Sequence, residues 1–369
     1  VNRVLPTRIE VYAMTRVLIG VGLAMAVIGA VIVLISFVEL SRTTGATLDL
    51  TFSQLMGLTL LKSPAVILLL MPFAFLFGSM GAFVTLNRRS ELVAMRAAGV
   101  SAWRFITPAA GAAFGIGVFT VTVLNPMASS LNGLFEDRRA ALTAGRGPDL
   151  ARELWLRQGD DGSQIVIHAR HHDTAGETVR LTGVSLFIQR VRPDGELDFS
   201  RRIEAREALL MPGFWRLGDV SEALPGAGSN RSDQLSIPSS LDRRTALEKF
   251  ASPGAVAFWS LPATIRSAEL SGYSTAGYQL RLQQLLATPL LFSAMSVLAA
   301  AFSLRLMRLG DLAGMAGAGV AMGFVFFFLN QFCGALGATE VIPPAVAAWT
   351  PPLLALLSGA TLLCYTEDG

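Results

Sequence analysis

Residues 17–38 read VLIGVGLAMAVIGAVIVLISFV, without a single charge. A helix rises about 1.5 Å per residue, so this run is long enough to cross the roughly 30 Å hydrocarbon core of a bilayer. It is too long for the apolar region of a signal peptide, and no small-x-small cleavage site follows it closely. Five further runs share its character, at 63–86, 106–124, 285–304, 312–336 and 345–365. Between the third and the fourth the composition changes. From 126 to 279, 37 of 154 residues are Asp, Glu, Lys or Arg, whereas the other 215 residues hold only 20. The full 369-residue chain is 52% hydrophobic and 15% charged, against about 25% charged in ordinary soluble proteins. The sequence therefore predicts an α-helical membrane protein with six transmembrane helices and one soluble domain inserted between helices 3 and 4. The divisions fall at 1–125, 126–279 and 280–369.

Arginine sets the orientation. Arg3, Arg8 and Arg16 precede the first span, and Arg88, Arg89, Arg96 and Arg104 separate the second from the third. Arg305 and Arg308 separate the fourth from the fifth, while the opposite flanks hold only Arg42, Lys62 and Arg281. By the positive-inside rule both termini are cytoplasmic and the insert lies outside, in the periplasm of a bacterium. The insert itself carries 18 basic and 19 acidic residues. Without a basic face on a soluble domain, a nucleic-acid partner is not expected.

The insert reads as β. Short alternating runs at 154–157 and 164–169 flank Gly159-Asp160-Asp161-Gly162, a hairpin signal. The run at 184–191 ends in Arg192-Pro193-Asp194-Gly195, where Pro presets φ and Gly permits reversal. Runs at 199–206, 208–211 and 214–220 continue the pattern. Many short strands predict an all-β sandwich or jelly-roll-like domain. Residues 224–240, rich in Gly, Pro and Ser, read as a loop, and 252–277 as helical stretches returning to the membrane.

Several chemistries lack their residues. No Gly-Lys pair occurs, so the chain has no P-loop of its own. There is no Gly-x-Ser-x-Gly elbow and no His-Glu-x-x-His. His168, His171 and His172 sit at a strand end, where adjacent side chains point to opposite faces, so they read as surface histidines. Asp160 and Asp161 read as solvated turn residues. Cys333 and Cys364 lie in apolar runs and read as small buried hydrophobes rather than a disulfide or zinc site. No metal site and no catalytic residue is expected. The span interiors carry no charge, which disfavours a proton-coupled transporter. Gly111/Gly115 and Gly319/Gly323 are spaced for close helix approach, within the chain or between subunits.

One cytoplasmic segment carries a positive signal. Residues 87–101 read NRRSELVAMRAAGVS. Ser90 suits an N-cap, Glu91 suits the first turn of a helix, and Gly99 suits a C′ position. Ser101 then caps the next helix. The result is a short helix over about 88–99 with Leu92 and Met95 on one side and charges around them. It is either a basic turn that holds topology or a helix of the right size to dock into the groove of a cytoplasmic partner.

Residues 89–99, RSELVAMRAAG, resemble the signature cytoplasmic helix of the lipopolysaccharide export permeases, the LptF/LptG family. The likeness extends over nearly the whole chain. Three spans, a β insert and three more spans match the family layout. Residues 323–327 (GFVFF), 342–345 (IPPA) and Trp349-Thr350-Pro351 resemble its last two helices. Residues 154–156 (LWL) and 215–217 (WRL) resemble strands of its β domain. The Arg-Ser-Glu-Leu start leans toward the LptG branch.

This resemblance implies one half of an ATP-binding cassette exporter in the inner membrane of a Gram-negative bacterium. The implied partners are an LptF-like permease subunit, an LptB-like ATPase dimer, and an LptC-like bitopic protein with a periplasmic β domain. This chain then holds no cofactor, ATP and Mg being bound by the ATPase. The short helix becomes a coupling helix formed by Arg88, Arg89, Glu91, Leu92, Met95 and Arg96, with Glu91 paired to a basic residue of the ATPase and Leu92 and Met95 packed in its groove. The substrate becomes lipopolysaccharide, taken from the outer leaflet. Phe324, Phe327 and Phe328 are the implied wall for its acyl chains, and Arg42, Arg138 and Arg139 the implied cations for its phosphates. Two other readings are a membrane-anchored enzyme acting on lipids or envelope polymers, for which the sequence shows no nucleophile–base or metal constellation, and a mechanotransmission subunit, coupled to an ATPase but moving a periplasmic partner without carrying lipid. Six spans argue against the latter, since such subunits usually have four.

Overall fold

Once water is gone, an apolar segment must pair every backbone N–H and C=O within itself, and a helix does so within one segment. A computed structural model of the protein forms helices at all six runs. The structure describes residues 8–45, 50–143, 154–160, 163–173, 179–191, 197–211, 213–224, 228–239, 256–270, 274–306 and 312–367. Its helices are α1 (Arg8–Leu40), α2 (Phe52–Arg88), α3 (Glu91–Ala97), α4 (Ala102–Phe119) and α5 (Asn125–Thr143). After the β insert come α6 (Leu261–Leu270), α7 (Ala276–Leu306), α8 (Leu312–Ala338) and α9 (Pro344–Glu367). The π-helical turn Thr120–Leu124 joins α4 to α5, and a second, Ser41–Gly45, extends α1. Among the described residues, six stretches are long and apolar enough to cross a membrane: Arg8–Thr43, Phe52–Arg88, Ala102–Arg139, Ala276–Leu304, Gly317–Ala338 and Pro344–Tyr365.

The chain separates into two compact units, Val1–Phe135 with Ala257–Trp259 and Gln279–Gly369, and Glu136–Val256 with Ser260–Tyr278. In the helical unit, Phe75 stacks on Phe292 at 4.5 Å between ring centroids, and Phe83 meets Phe105 at 6.3 Å. Ala299, Ala300 and Ala301 of α7 are wholly buried in the same core. Where helices cross closely, the contact residues are glycines. A Cβ at Gly78 of α2 would collide with the backbone of Gly20 and Val21 on α1, and one at Gly117 would collide with Pro289 on α7. The expected pairs divide. Gly319 and Gly323 face Met80 and Phe77 on α2, whereas Gly111 and Gly115 meet nothing within 4 Å. Close packing of small residues supplies the van der Waals contact that associates helices in lipid. Hydrogen bonds between spans add to it: Ser79 Oγ donates to Ser296 Oγ at 3.1 Å, and Ser293 Oγ donates to the Ala110 carbonyl at 2.8 Å.

The π turn also anchors the returning chain. Its wider winding frees a carbonyl. Trp259 Nε1 donates to the Thr122 carbonyl at 3.0 Å, and the Phe258 N–H donates to Asn125 Oδ1 at 3.0 Å.

The second unit holds one six-stranded antiparallel sheet in sequential order, β1 to β6. The strands are β1 (Leu154–Asp160), β2 (Ser163–Asp173), β3 (Arg180–Val191), β4 (Leu197–Met211), β5 (Phe214–Ala223) and β6 (Ser229–Pro238). The two runs at 199–206 and 208–211 are one strand, β4. The hairpin tips at 161–162 and 192–196 lie outside the described residues. Alternation buries Ile165, Ile167, Leu186, Ile203, Trp215 and Leu217 on one face. The expected loop at 224–240 is corrected. Residues Ser229–Pro238 form β6, paired to β5 from Ala223↔Ser229 to Phe214↔Pro238. Its polar residues are exposed, as on an edge strand, while Ile237 is buried and Leu235 packs against the core.

Candidate functional site

The segment between α2 and α4 is the short helix α3, seven residues long. Its stop is built as the sequence suggested. Gly99 has φ +78°, its N–H donates to the Arg96 carbonyl at 2.9 Å, and the Val100 N–H donates to the Met95 carbonyl at 3.1 Å. Those paired bonds form a Schellman motif, which needs the left-handed conformation that glycine adopts without strain. Ser101 then caps α4, its Oγ accepting from the Trp103 N–H at 3.3 Å. The start differs from expectation. Ser90 has φ +59° and its side chain makes no capping bond. It turns the chain sharply out of α2 instead, with its N–H donating to the Asn87 carbonyl at 2.7 Å.

The faces of α3 are also reassigned. Leu92 is 1% exposed and sits in the core of the helical unit, so it cannot pack in a partner's groove. It fastens α3 to its own subunit. Val93 is 58% exposed, and Ala94, Arg96 and Ala97 are exposed beside it. Met95 is half-buried, and Arg88 and Arg89 are exposed. The exposed surface of α3 is thus Val93, Ala94, Arg96 and Ala97, flanked by the two arginines at the end of α2.

Glu91 meets a residue of its own chain. Tyr12 Oη donates to Glu91 Oε2 at 2.8 Å, and Arg16 Nε donates to Tyr12 Oη at 3.0 Å. The Arg16 guanidinium also lies over the Tyr12 ring, 5.1 Å from its centroid. A second link joins the same ends: Arg104 at the start of α4 pairs with Glu10 of α1 at 3.0 Å. The first span is therefore tied by polar contacts to both α3 and α4.

The candidate lipid contacts fall into three places. Phe324 and Phe328 stack at 6.5 Å on α8 and are 58% and 64% exposed. Phe327 is 38% exposed and packs against Phe73 of α2 at 6.3 Å and Phe328 at 5.9 Å. Arg42 is exposed on the π-helical extension of α1. Nearby, Glu39 pairs with Lys62 at 3.0 Å, bridging α1 and α2. Arg138 and Arg139 stand on α5 within the other unit; Arg138 is exposed and Arg139 half-buried. His168 and His171 lie on β2, and among the described residues no cluster of three or more His, Cys, Asp or Glu could hold a metal.

A family model described as "Lipopolysaccharide export system permease LptF/LptG" matches residues 11–365. The chain belongs to the LptF/LptG family. It is also similar to the "Lipopolysaccharide export system permease protein LptG" of Escherichia coli strain K12, 23% identical over 298 residues, covering 79% of this chain and 80% of that one. The protein of the same name from Escherichia coli O6:H1 matches equally. Membership and the six apolar helices make the chain a multi-pass inner-membrane permease.

In this LptF/LptG member, the residues that sequence reasoning passed over are Glu10, Tyr12 and Arg16. Tyr12 and Arg16 are four apart, so one helix face carries both. Nothing local marks their partner, which lies 79 residues further on. Val93 was passed over because its helical neighbours Leu92 and Met95 looked like the exposed apolar pair.

Proposed function

We propose that the chain is the transmembrane subunit of an ATP-binding cassette exporter that extracts lipopolysaccharide from the inner membrane and passes it to a periplasmic β bridge. The observation that carries this reading is the family match over residues 11–365, which takes in all six spans and the β insert together. The nine arginines at one set of span ends support cytoplasmic termini and a periplasmic β domain. The chain acts without catalysis of its own. An LptB-like ATPase dimer binds ATP and Mg, and an LptF-like subunit completes the permease.

The mechanism follows from what each group can do. An ATPase groove receives Val93, Ala94, Arg96 and Met95, with Arg88 and Arg89 at its rim. Rim charges contribute little, so the apolar contact carries most of the docking. Glu91 Oε1 has no partner among the described residues, and it can meet a basic residue of the ATPase while Oε2 stays on Tyr12. When ATP binding moves α3, the buried Leu92 carries α2 and α4 along, and the Tyr12 and Glu10 links carry α1. Midway along α8, Phe324, Phe327 and Phe328 offer an apolar wall for acyl chains. Arg42, Arg138 and Arg139 offer cations for the phosphates. β1 and β6, the outer strands of the sheet among the described residues, offer their backbone groups to the β domain of an LptC-like protein, through strand addition.

Reconstitution tests this. Proteoliposomes containing the chain, its partner permease subunit, the ATPase dimer and lipopolysaccharide should release lipopolysaccharide to an added β-domain acceptor, only with ATP. ATP hydrolysis that moves no lipid would instead support the mechanotransmission reading.

A further inference from the structure

A groove of about 540 Å³ runs between α1 and α2. Leu23, Val27 and Ile28 line it from α1, and Phe77, Gly81 and Ala82 from α2. Arg16, Arg89 and Glu91 stand at one end. We propose that this groove binds one anionic glycerophospholipid, an acyl chain lying along Leu23, Val27, Phe77 and Gly81 and the phosphate held by Arg16 and Arg89.

Depth, charge and shape support one lipid. From Arg16 to Ile28 is twelve helical steps, about 18 Å. From Phe77 to Arg89 is again twelve. Half of a bilayer core is about 15 Å. The groove is therefore one leaflet deep, with its polar end at headgroup level. A partner's membrane-spanning helix would need a seat twice as long.

The polar end carries two cations and one carboxylate. Glu91 Oε2 is already bonded to Tyr12. No carboxylate lies within 4.0 Å of Arg16 or Arg89 among the described residues. Arg16 is held by Tyr12 through Nε and the ring face, so its two terminal nitrogens remain for an anion. The guanidinium fork matches phosphate geometry. The floor is shallow because α1 and α2 touch backbone to backbone at Gly20 and Gly78. Gly81 leaves the floor open, since a Cβ there meets nothing within 4 Å.

Native mass spectrometry of the purified chain tests the proposal, with phosphatidylglycerol and zwitterionic phosphatidylethanolamine added as probes. Each basic side chain near an anionic headgroup is worth about fivefold in affinity. Arg16→Gln with Arg89→Gln should therefore weaken phosphatidylglycerol binding about 25-fold and weaken phosphatidylethanolamine, whose phosphate is offset by its own ammonium, much less. Gly81→Leu should fill the groove and abolish the retained lipid. Gly22→Leu, also on open space but outside the groove, should not. Thermal unfolding of each variant separates lost binding from lost folding. Undiminished phosphatidylglycerol binding in the double arginine variant, or in a folded Gly81→Leu protein, overturns the proposal. So does capture of a polypeptide rather than lipid by a photo-crosslinker at Leu23.

Discussion

Leu92 and Val93 are neighbours with opposite assignments, and exchanging each for alanine separates them. Leu92→Ala removes three carbons from a site 1% exposed, at a cost of about 3 kcal/mol. With only seven residues, α3 cannot hold itself together, since isolated helices shorter than about 12 residues are marginal. The loss therefore falls on the attachment of α3. Amide exchange across 91–98 should accelerate about a hundredfold. Val93→Ala removes two methyl groups from a side chain 58% exposed. Stability should move by less than about 0.5 kcal/mol. If the ATPase buries Val93, two methyls at about 0.8 kcal/mol each weaken its binding about tenfold. Hydrogen exchange of the purified permease and titration with the ATPase subunit read the two effects separately. Unchanged exchange in Leu92→Ala together with weakened ATPase binding would refute the assignment of faces.

Tyr12→Phe keeps the ring over Arg16 but deletes the donor to Glu91, a bond to a charged group worth about 1.5–3 kcal/mol at most. ATPase binding should persist while lipid released per ATP hydrolysed falls; unchanged coupling would remove α1 from the transmission route. Gly78→Leu drives a side chain into the backbone of α1, so the monodisperse folded protein should be lost on size-exclusion chromatography, whereas Gly81→Leu should survive. Gly99→Val places a β-branched residue at φ +78°, costing about 1–2 kcal/mol, and exchange at Ala98 to Ser101 should rise several-fold.

The spans were legible because bilayer thickness fixes their length and excludes charge, so 17–38 or 345–365 could be read with no tertiary knowledge. The β insert was legible from the jump in charge density after Pro126 and from alternating runs such as 164–169 and 184–191, which lie in β2 and β3. Gly99 and Ser101 were legible because caps are local chemistry. What escaped depends on contacts distant in sequence. Leu92 and Val93 are both apolar, and only packing against the core decides which points inward. Ser90 has the composition of a cap but serves as a left-handed turn, because α2 must end and reverse there. Of the two spaced pairs only Gly319/Gly323 meets another helix, and close crossings also occur at Gly20, Gly78 and Gly117, single glycines that no spacing marks. An edge strand needs few apolar residues, so β6 looked like a loop.

The most direct test of the central claim is substrate capture in cells. A photo-crosslinking residue placed at Phe328 or at Arg42, with Leu357 of α9, 61% exposed, as the control, would be irradiated and probed for lipopolysaccharide adducts. Export predicts adducts at Phe328 and Arg42 and none at Leu357. The absence of adducts at both sites, in cells where the protein folds and recruits its ATPase, would contradict it.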